Sequence, residues 1–232
     1  MILHIPHSSI NMPVFYPDLP ELHLKRHTDW FTDELFEFEG ATRFVFEYSR
    51  FYADMERLEH DPLESKGMGI FYTRTPWDAL YRDIEDEQYQ KVMALYHKWH
   101  EALAKEAQQQ IKENGYCVLV DCHSFSHHQV EDEEESLPDI NIGTNPKSTS
   151  QKLTYLIQAT FEEAGYSVSI NYPYAYSIEP VQSRGFETIM IEINKRCYLT
   201  ETFTKTQGFQ PLKKTLHDVL TVISSCVESR NE

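Results

Sequence analysis

Short apolar runs alternate with longer stretches of helical periodicity along the chain. Residues 1–5 read as a buried strand that stops at Pro6, and residues 116–120 form the clearest apolar run of all. Residues 43–48, 51–55, 139–142, 166–170 and 188–193 also alternate or run apolar in the manner of strands. Between them, residues 29–39 predict an amphipathic helix with Trp30, Leu35 and Phe38 facing the core and Gly40 as its stop. Residues 84–114 predict a long helix ended by Gly115, residues 147–164 one ended by Gly165, and residues 210–227 a last one. A loop with Pro13, Pro17 and Pro20 follows the first strand, and a second long loop, residues 62–76, holds Gly67 and Gly69. The acidic run 131–135 reads as a solvated loop. Strands alternating with helices imply an α/β protein: one mainly parallel, mixed sheet flanked by helices on both faces.

Composition narrows what such a fold can do. The 232 residues fit one domain, expected to span 1–232. A formal net charge of −16 argues against nucleic acid or an anionic membrane as partner, because both reward clustered Lys and Arg. A small anionic substrate remains compatible, since a few arginines in one pocket reverse the local field. Nothing at the N-terminus reads as a signal peptide, and no apolar run approaches the roughly 18 residues of a membrane span. Cys117, Cys122, Cys197 and Cys226 show no CxxC spacing. Reduced thiols in a cytoplasmic protein are the expectation. Oligomeric state is not legible.

Two histidines stand out because each follows an apolar strand and precedes a serine: His7 after residues 1–5, and His123 in Asp121-Cys-His123-Ser124. Open α/β sheets build their sites at the carboxyl ends of strands. Two imidazoles delivered there, with one carboxylate from a third segment, make a three-ligand catalytic zinc site with an open position. The plainer alternative is that each histidine satisfies a buried hydrogen bond. Asp121 favours the metal reading, since a ligating imidazole usually gives its second N–H to a carboxylate or carbonyl. His127 and His128 lie in more polar surroundings and are expected to be solvated. The third ligand is sought in His27-Thr-Asp29-Trp-Phe-Thr-Asp33. Asp29 and Asp33 would share a helical face, and Asp29 is preferred as nearer the loop end. It is also an ordinary helix N-cap candidate.

Glu192 stands alone within Ile-Met-Ile-Glu192-Ile. Burying a carboxylate in such a run is costly unless it is paired or used, so Glu192 is the candidate general base. Arg50, Arg57 and Arg74 are candidates to grip a substrate carboxylate, because a planar guanidinium offers two parallel hydrogen bonds. The alternative for each is surface pairing with the abundant acids.

Taken in order, these segments resemble the N-formylglutamate amidohydrolase family. The resemblance runs through Pro6-His7-Ser8, Thr28-Asp29-Trp30, Tyr48-Ser49-Arg50 with Asp54 and Arg57, and Asp121-Cys-His123-Ser124. It continues through Pro138-Asp139 to Gly143-Thr144, Asn171-Tyr-Pro-Tyr174 and Glu192, covering roughly residues 1–200. It implies a zinc-exopeptidase-like fold, one zinc ion held by His7, Asp29 and His123, and Glu192 as base. Asp121 would support a ligand, and Arg50, Arg57, Arg74, Asn171 and Tyr174 would face the substrate. The implied reaction is hydrolysis of N-formyl-L-glutamate to formate and glutamate, a late step of histidine degradation. Two departures are visible. Ile10 stands where a His-x-x-Glu metal motif would place its carboxylate, and Ile178-Glu179-Pro180 replaces a glycine-rich, basic segment. The alternatives are a zinc amidohydrolase or peptidase for another N-acyl amino acid or short acidic peptide, and a non-catalytic ligand-binding homologue.

Overall fold

The computed structural model describes residues 1–129 and 137–228. The acidic run 131–135, expected to be a solvated loop, lies outside the described residues. Six strands form one sheet: β1 (Ile2–Ile5), β2 (Thr42–Val45), β3 (Cys117–Phe125), β4 (Ile140–Thr144), β5 (Val168–Ile170) and β6 (Phe186–Asn194). Their order is β2-β1-β3-β6-β4-β5. All neighbours are parallel except β4 and β6, which run antiparallel, so the sheet is mixed and mostly parallel.

That order places the site. After β1 the chain pairs β2 on one side and β3 on the other, so a crevice opens between the carboxyl ends of β1 and β3. Such a reversal of strand order is where α/β sheets bind ligands. The two central strands, β3 and β6, are buried along all nine of their residues. Side chains on a strand alternate between faces. On one face Leu3, Ile5, Val118, Val120, Cys122, Ile189, Ile191 and Ile193 join a continuous apolar core. Two helices cover that face, α4 (Gln151–Glu163) and α5 (Phe209–Glu228). Leu153, Ile157 and Phe161 on α4, and Leu212, Leu216, Val219, Leu220 and Ile223 on α5, recur at helical spacing and are buried there. The Ser150 side chain caps α4 by accepting from Leu153 N.

The lower end of the opposite face is apolar: Ile2, Cys117 and Leu119 pack there on the 26-residue α3 (Tyr89–Asn114). Continuing up the same face, the alternation delivers His4, Asp121, His123 and Glu192. Their polarity is therefore a property of one end of one sheet face.

Several boundaries differ from the sequence expectation. The predicted helix over 29–39 shrinks to α2 (Thr32–Leu35), because Phe31 takes a left-handed conformation, φ 62°, that interrupts helical hydrogen bonding. Ahead of it, inside the stretch expected to be a loop, α1 (Glu21–His27) begins directly after Pro20. Residues 51–55 form no strand; Tyr52 and Ala53 instead donate back to Ser49 O and close a turn. The long helix starts at Tyr89, not at 84. β3 runs on to Phe125, so His123 lies inside the strand and not just past it. None of the four cysteines is in a disulfide, and Cys122 packs in the core away from the site. Among the described residues no helix is long and apolar enough to cross a membrane.

Candidate active site

Three segments meet over the crevice. The loop after β1 brings His7, the turn between α1 and α2 brings Asp29, and β3 brings His123; all three are buried. Asp29 is held by its own backbone, which donates to His7 O at 2.9 Å. It belongs to a turn and not to a helix, whereas Asp33 sits on α2 exposed to solvent, so the structure brings Asp29 alone to the histidines.

The two imidazoles are arranged alike. His7 Nε2 lies 2.8 Å from Asp54 Oδ1, and His123 Nε2 lies 2.8 Å from Asp121 Oδ1. An ionised carboxylate can only accept, so His123 donates through Nε2 and turns Nδ1 inward. His7 Nε2 meets both Asp54 and, at 2.9 Å, Arg50 Nη2, a group that can only donate; its Nδ1 likewise faces inward. His7 Nδ1 is buried without a hydrogen-bond partner, 3.7 Å from Asp29 Oδ2. His123 Nδ1 is 3.4 Å from that same oxygen. These separations exceed the roughly 2.7–2.9 Å of a charge-assisted hydrogen bond. Two inward Nδ1 atoms and a carboxylate, each imidazole braced by a second carboxylate, form a donor set that could hold a divalent metal ion.

Glu56 competes for the same role and was not singled out by the sequence. Its Oε2 is 3.7 Å from His7 Nδ1, its Oε1 is 3.6 Å from His123 Nε2, and it takes a hydrogen bond from Arg50 Nη2 at 3.0 Å. His7, Glu56 and His123 make one compact group capable of holding a metal; His4, Asp121 and His123 make another. In the latter the separations of 2.7 and 2.8 Å are hydrogen bonds, already satisfied.

Electrostatics agree with a cation-seeking centre. Burial opposes the charge on Asp121, but His123 and His4 more than offset it and hold the carboxyl far below its usual range. Burial alone would depress His123, yet Glu56 and Asp121 raise it well above an ordinary imidazole. Glu192 behaves oppositely: burial, with the charges of Asp29 and Glu56 assisting, pushes it up to about 8. Its Oε2 is buried with no hydrogen-bond partner. His123 and Glu192 are direct cross-strand neighbours on β3 and β6.

A cavity of about 360 Å³ is lined by Asp29, Arg50, Glu56, Arg57, His123, Tyr174 and Glu192, among others. Burial disfavours the charge of Arg50, but Asp54, Tyr72 and Glu56 outweigh it and keep the guanidinium firmly protonated. Arg57 donates to Tyr72 Oη at 3.2 Å and lies 3.7 Å from Asp54 Oδ2. Lys195, also buried, places Nζ 3.6 Å from Asp29 Oδ1 and donates to Arg26 O.

Other sequence candidates fall elsewhere. Arg74 does not line this cavity; it pairs with Asp78 at 3.0 Å on the surface and borders a separate open groove of about 960 Å³. The Asn171 side chain is used in a turn, accepting from Thr144 N at 2.8 Å and donating to Thr144 Oγ1 at 2.9 Å. His127 and His128 sit in a single 3-10 turn outside the cavity lining. Asp54, Glu56, Tyr72 and Lys195 are the residues the sequence reading did not assign; the nearest signal was Asp54 inside the quoted Arg50–Arg57 segment.

The fold has close structural relatives. An N-formylglutamate amidohydrolase from Ralstonia eutropha JMP134 superposes with a TM-score of 0.80 at 20% identity, over 98% of this chain and 94% of that one. A gene product of Agrobacterium tumefaciens superposes at 0.67 with 21% identity, over 96% and 91%. In sequence, an N-formylglutamate deformylase of Pseudomonas aeruginosa is 31% identical over 62% of this chain and 59% of its own length. One from Pseudomonas putida is 28% identical over 74% and 69%. The match thus spans less than two thirds of the first of these relatives. The sequence profile described as N-formylglutamate amidohydrolase matches residues 1–199. With that match running through every segment that reaches the crevice, the chain belongs to the N-formylglutamate amidohydrolase family.

Proposed function

We propose that this chain hydrolyses the formyl amide of N-formyl-L-glutamate, giving formate and L-glutamate, with one divalent ion, zinc, held by His7, Asp29 and His123. The observation that carries the reading is that His123, Asp29, a buried glutamate whose Oε2 has no partner and two guanidiniums all border one small cavity, with His7 Nδ1 3.7 Å from Asp29 Oδ2. Bound there, the ion would polarise the formyl oxygen and acidify a water. Arg50 and Arg57 would take the substrate carboxylates, which fixes the amide against the histidines before any bond breaks. Glu192 would accept a proton from the attacking water and return it to the glutamate nitrogen as the C–N bond breaks. Tyr174, at the cavity wall, would shield that exchange from solvent. The same reading includes a place in histidine breakdown and a cytoplasmic setting.

A second reading keeps the chemistry and changes the substrate. A cavity of about 610 Å³ shares Glu56, Arg57 and Ala175 with the first and extends past Lys147 and Gln182. This room favours a longer N-acyl amino acid or short acidic peptide. Turnover by zinc-loaded protein of N-formyl-glutamate, N-formyl-leucine, N-acetyl-glutamate and N-formyl-diglutamate tests both. Preference for N-formyl-glutamate supports the first reading, preference for the dipeptide supports the second, and metal binding without turnover would leave a binding protein.

A further inference from the structure

A hydrogen-bonded chain leaves the site through Asp121 and ends on the far helix. Asp121 Oδ1 accepts from His123 Nε2 at 2.8 Å and also from His4 Nδ1 at 2.7 Å. His4 and Asp121 are direct cross-strand neighbours on β1 and β3, and both are wholly buried. His4 Nε2 in turn receives the indole N–H of Trp99, from α3, at 3.1 Å. Asp121 Oδ2 accepts the backbone N–H of Ile178 at 3.1 Å.

The direction of every bond follows from its far end. An indole nitrogen can only donate. His4 Nε2 must therefore be the acceptor, which puts the His4 proton on Nδ1, pointing at Asp121. Asp121 then accepts on both oxygens, and the only role left to His123 Nε2 is to donate. His123 Nδ1 is consequently the nitrogen turned to Asp29, 3.4 Å away, and the one a metal would take by displacing its proton. Remove the Trp99 donor and His4 is free to adopt either tautomer. One of them sets a nitrogen lone pair against the Asp121 carboxylate and loosens the group that aims His123.

We propose that Trp99 and His4 are positioning residues that fix the tautomer and orientation of His123, and so set the affinity of the site for its metal. The inference rests on the metal-site reading above. It concerns residues that border neither the cavity nor a substrate.

The test is a zinc titration of the metal-free full chain in four variants, with cobalt(II) spectra recorded in parallel and folding checked by near-ultraviolet circular dichroism. His4→Leu removes the donor to Asp121 and should weaken zinc binding by roughly 10–100-fold, the usual cost of losing a ligand's outer hydrogen-bond partner. His4→Asn keeps an N–H near the Nδ1 position and should recover most of that loss. Trp99→Phe retains the ring packed on Phe44 and Phe46, 5.6 and 5.4 Å between centroids, but not the N–H. It should weaken zinc binding less than His4→Leu and shift the cobalt band in the same direction. Phe44→Leu disturbs that packing without touching the chain and should leave zinc affinity unchanged. Zinc affinities of Trp99→Phe and His4→Leu within twofold of wild type would overturn the inference. So would equal losses in Trp99→Phe and Phe44→Leu, which would mark a packing effect. A wild-type protein that binds no zinc would instead sink the metal site itself, and this inference with it.

Discussion

His123 stands on a strand hydrogen-bonded to neighbours on both sides, and its bracing carboxylate, Asp121, is two residues away on the same strand. His7 stands two residues beyond the end of a four-residue strand, and its bracing carboxylate, Asp54, comes from a turn 47 residues later. Both imidazoles bring Nε2 to a carboxylate, by different means, and only His7 Nε2 also meets a guanidinium, that of Arg50, at 2.9 Å. The sheet fixes the first arm. The second depends on loops closing, and its carboxylate is also shared: Asp54 Oδ2 lies 3.3 Å from Arg50 Nε and 3.7 Å from Arg57 Nε. On the proposed function, one arm would hold a metal with little reference to substrate, whereas in the other the metal brace and the substrate grip would lean on one carboxylate.

The largest expected effect lies on the strand arm. Glu192→Gln, beside His123 in the sheet, should keep the bound metal and lose on the order of 10²–10⁴ in turnover. Near-normal turnover by folded, metal-loaded protein would remove Glu192 from the chemistry. Next come the two braces. Asp121→Asn and Asp54→Asn should each weaken zinc binding by roughly 10–100-fold. Only Asp54→Asn should in addition raise KM for an anionic substrate at saturating zinc. Equal KM in the two variants would erase the distinction between the arms.

Arg57→Lys should come third, reducing kcat/KM for N-formyl-glutamate by about tenfold, the scale of one charged hydrogen bond, with a neutral N-formyl amino acid much less affected. Equal losses on both substrates would make Arg57 a structural brace for Tyr72. The smallest effect belongs to Arg74→Ala, since an exposed ion pair contributes about 0–1 kcal/mol. Its kcat/KM should stay within about twofold of wild type, and a tenfold loss would mean that this loop closes onto the substrate.

The same contrast explains what could be read from the sequence. Asp121, His123 and Glu192 were legible because each breaks an apolar alternation on a strand, and a buried charge there demands a reason. The mixed sheet and both long helices were legible from periodicity alone. Asp54 and Glu56 were not, because Ala53-Asp54-Met55-Glu56 alternates like a strand yet folds as a turn. Only tertiary closure shows that both carboxylates face His7. Arg74 failed for the complementary reason: its loop is long enough to reach the cavity, but local pairing with Asp78 satisfies it first. Asp29, preferred over Asp33 for its position near the loop end, is the one that lies beside both histidines, although the helix invoked for both does not extend that far.

The central claim is that His7 and His123 present their Nδ1 atoms, with Asp29, to one metal ion. A zinc-edge anomalous difference map of crystals grown with zinc tests it most directly. The account predicts a single strong peak about 2.0–2.2 Å from both Nδ1 atoms and from an Asp29 oxygen. A peak coordinated through Glu56 in place of Asp29 would reassign the third ligand and leave the two arms standing. A peak bonded to either Nε2, or lying away from both imidazoles, would contradict the account.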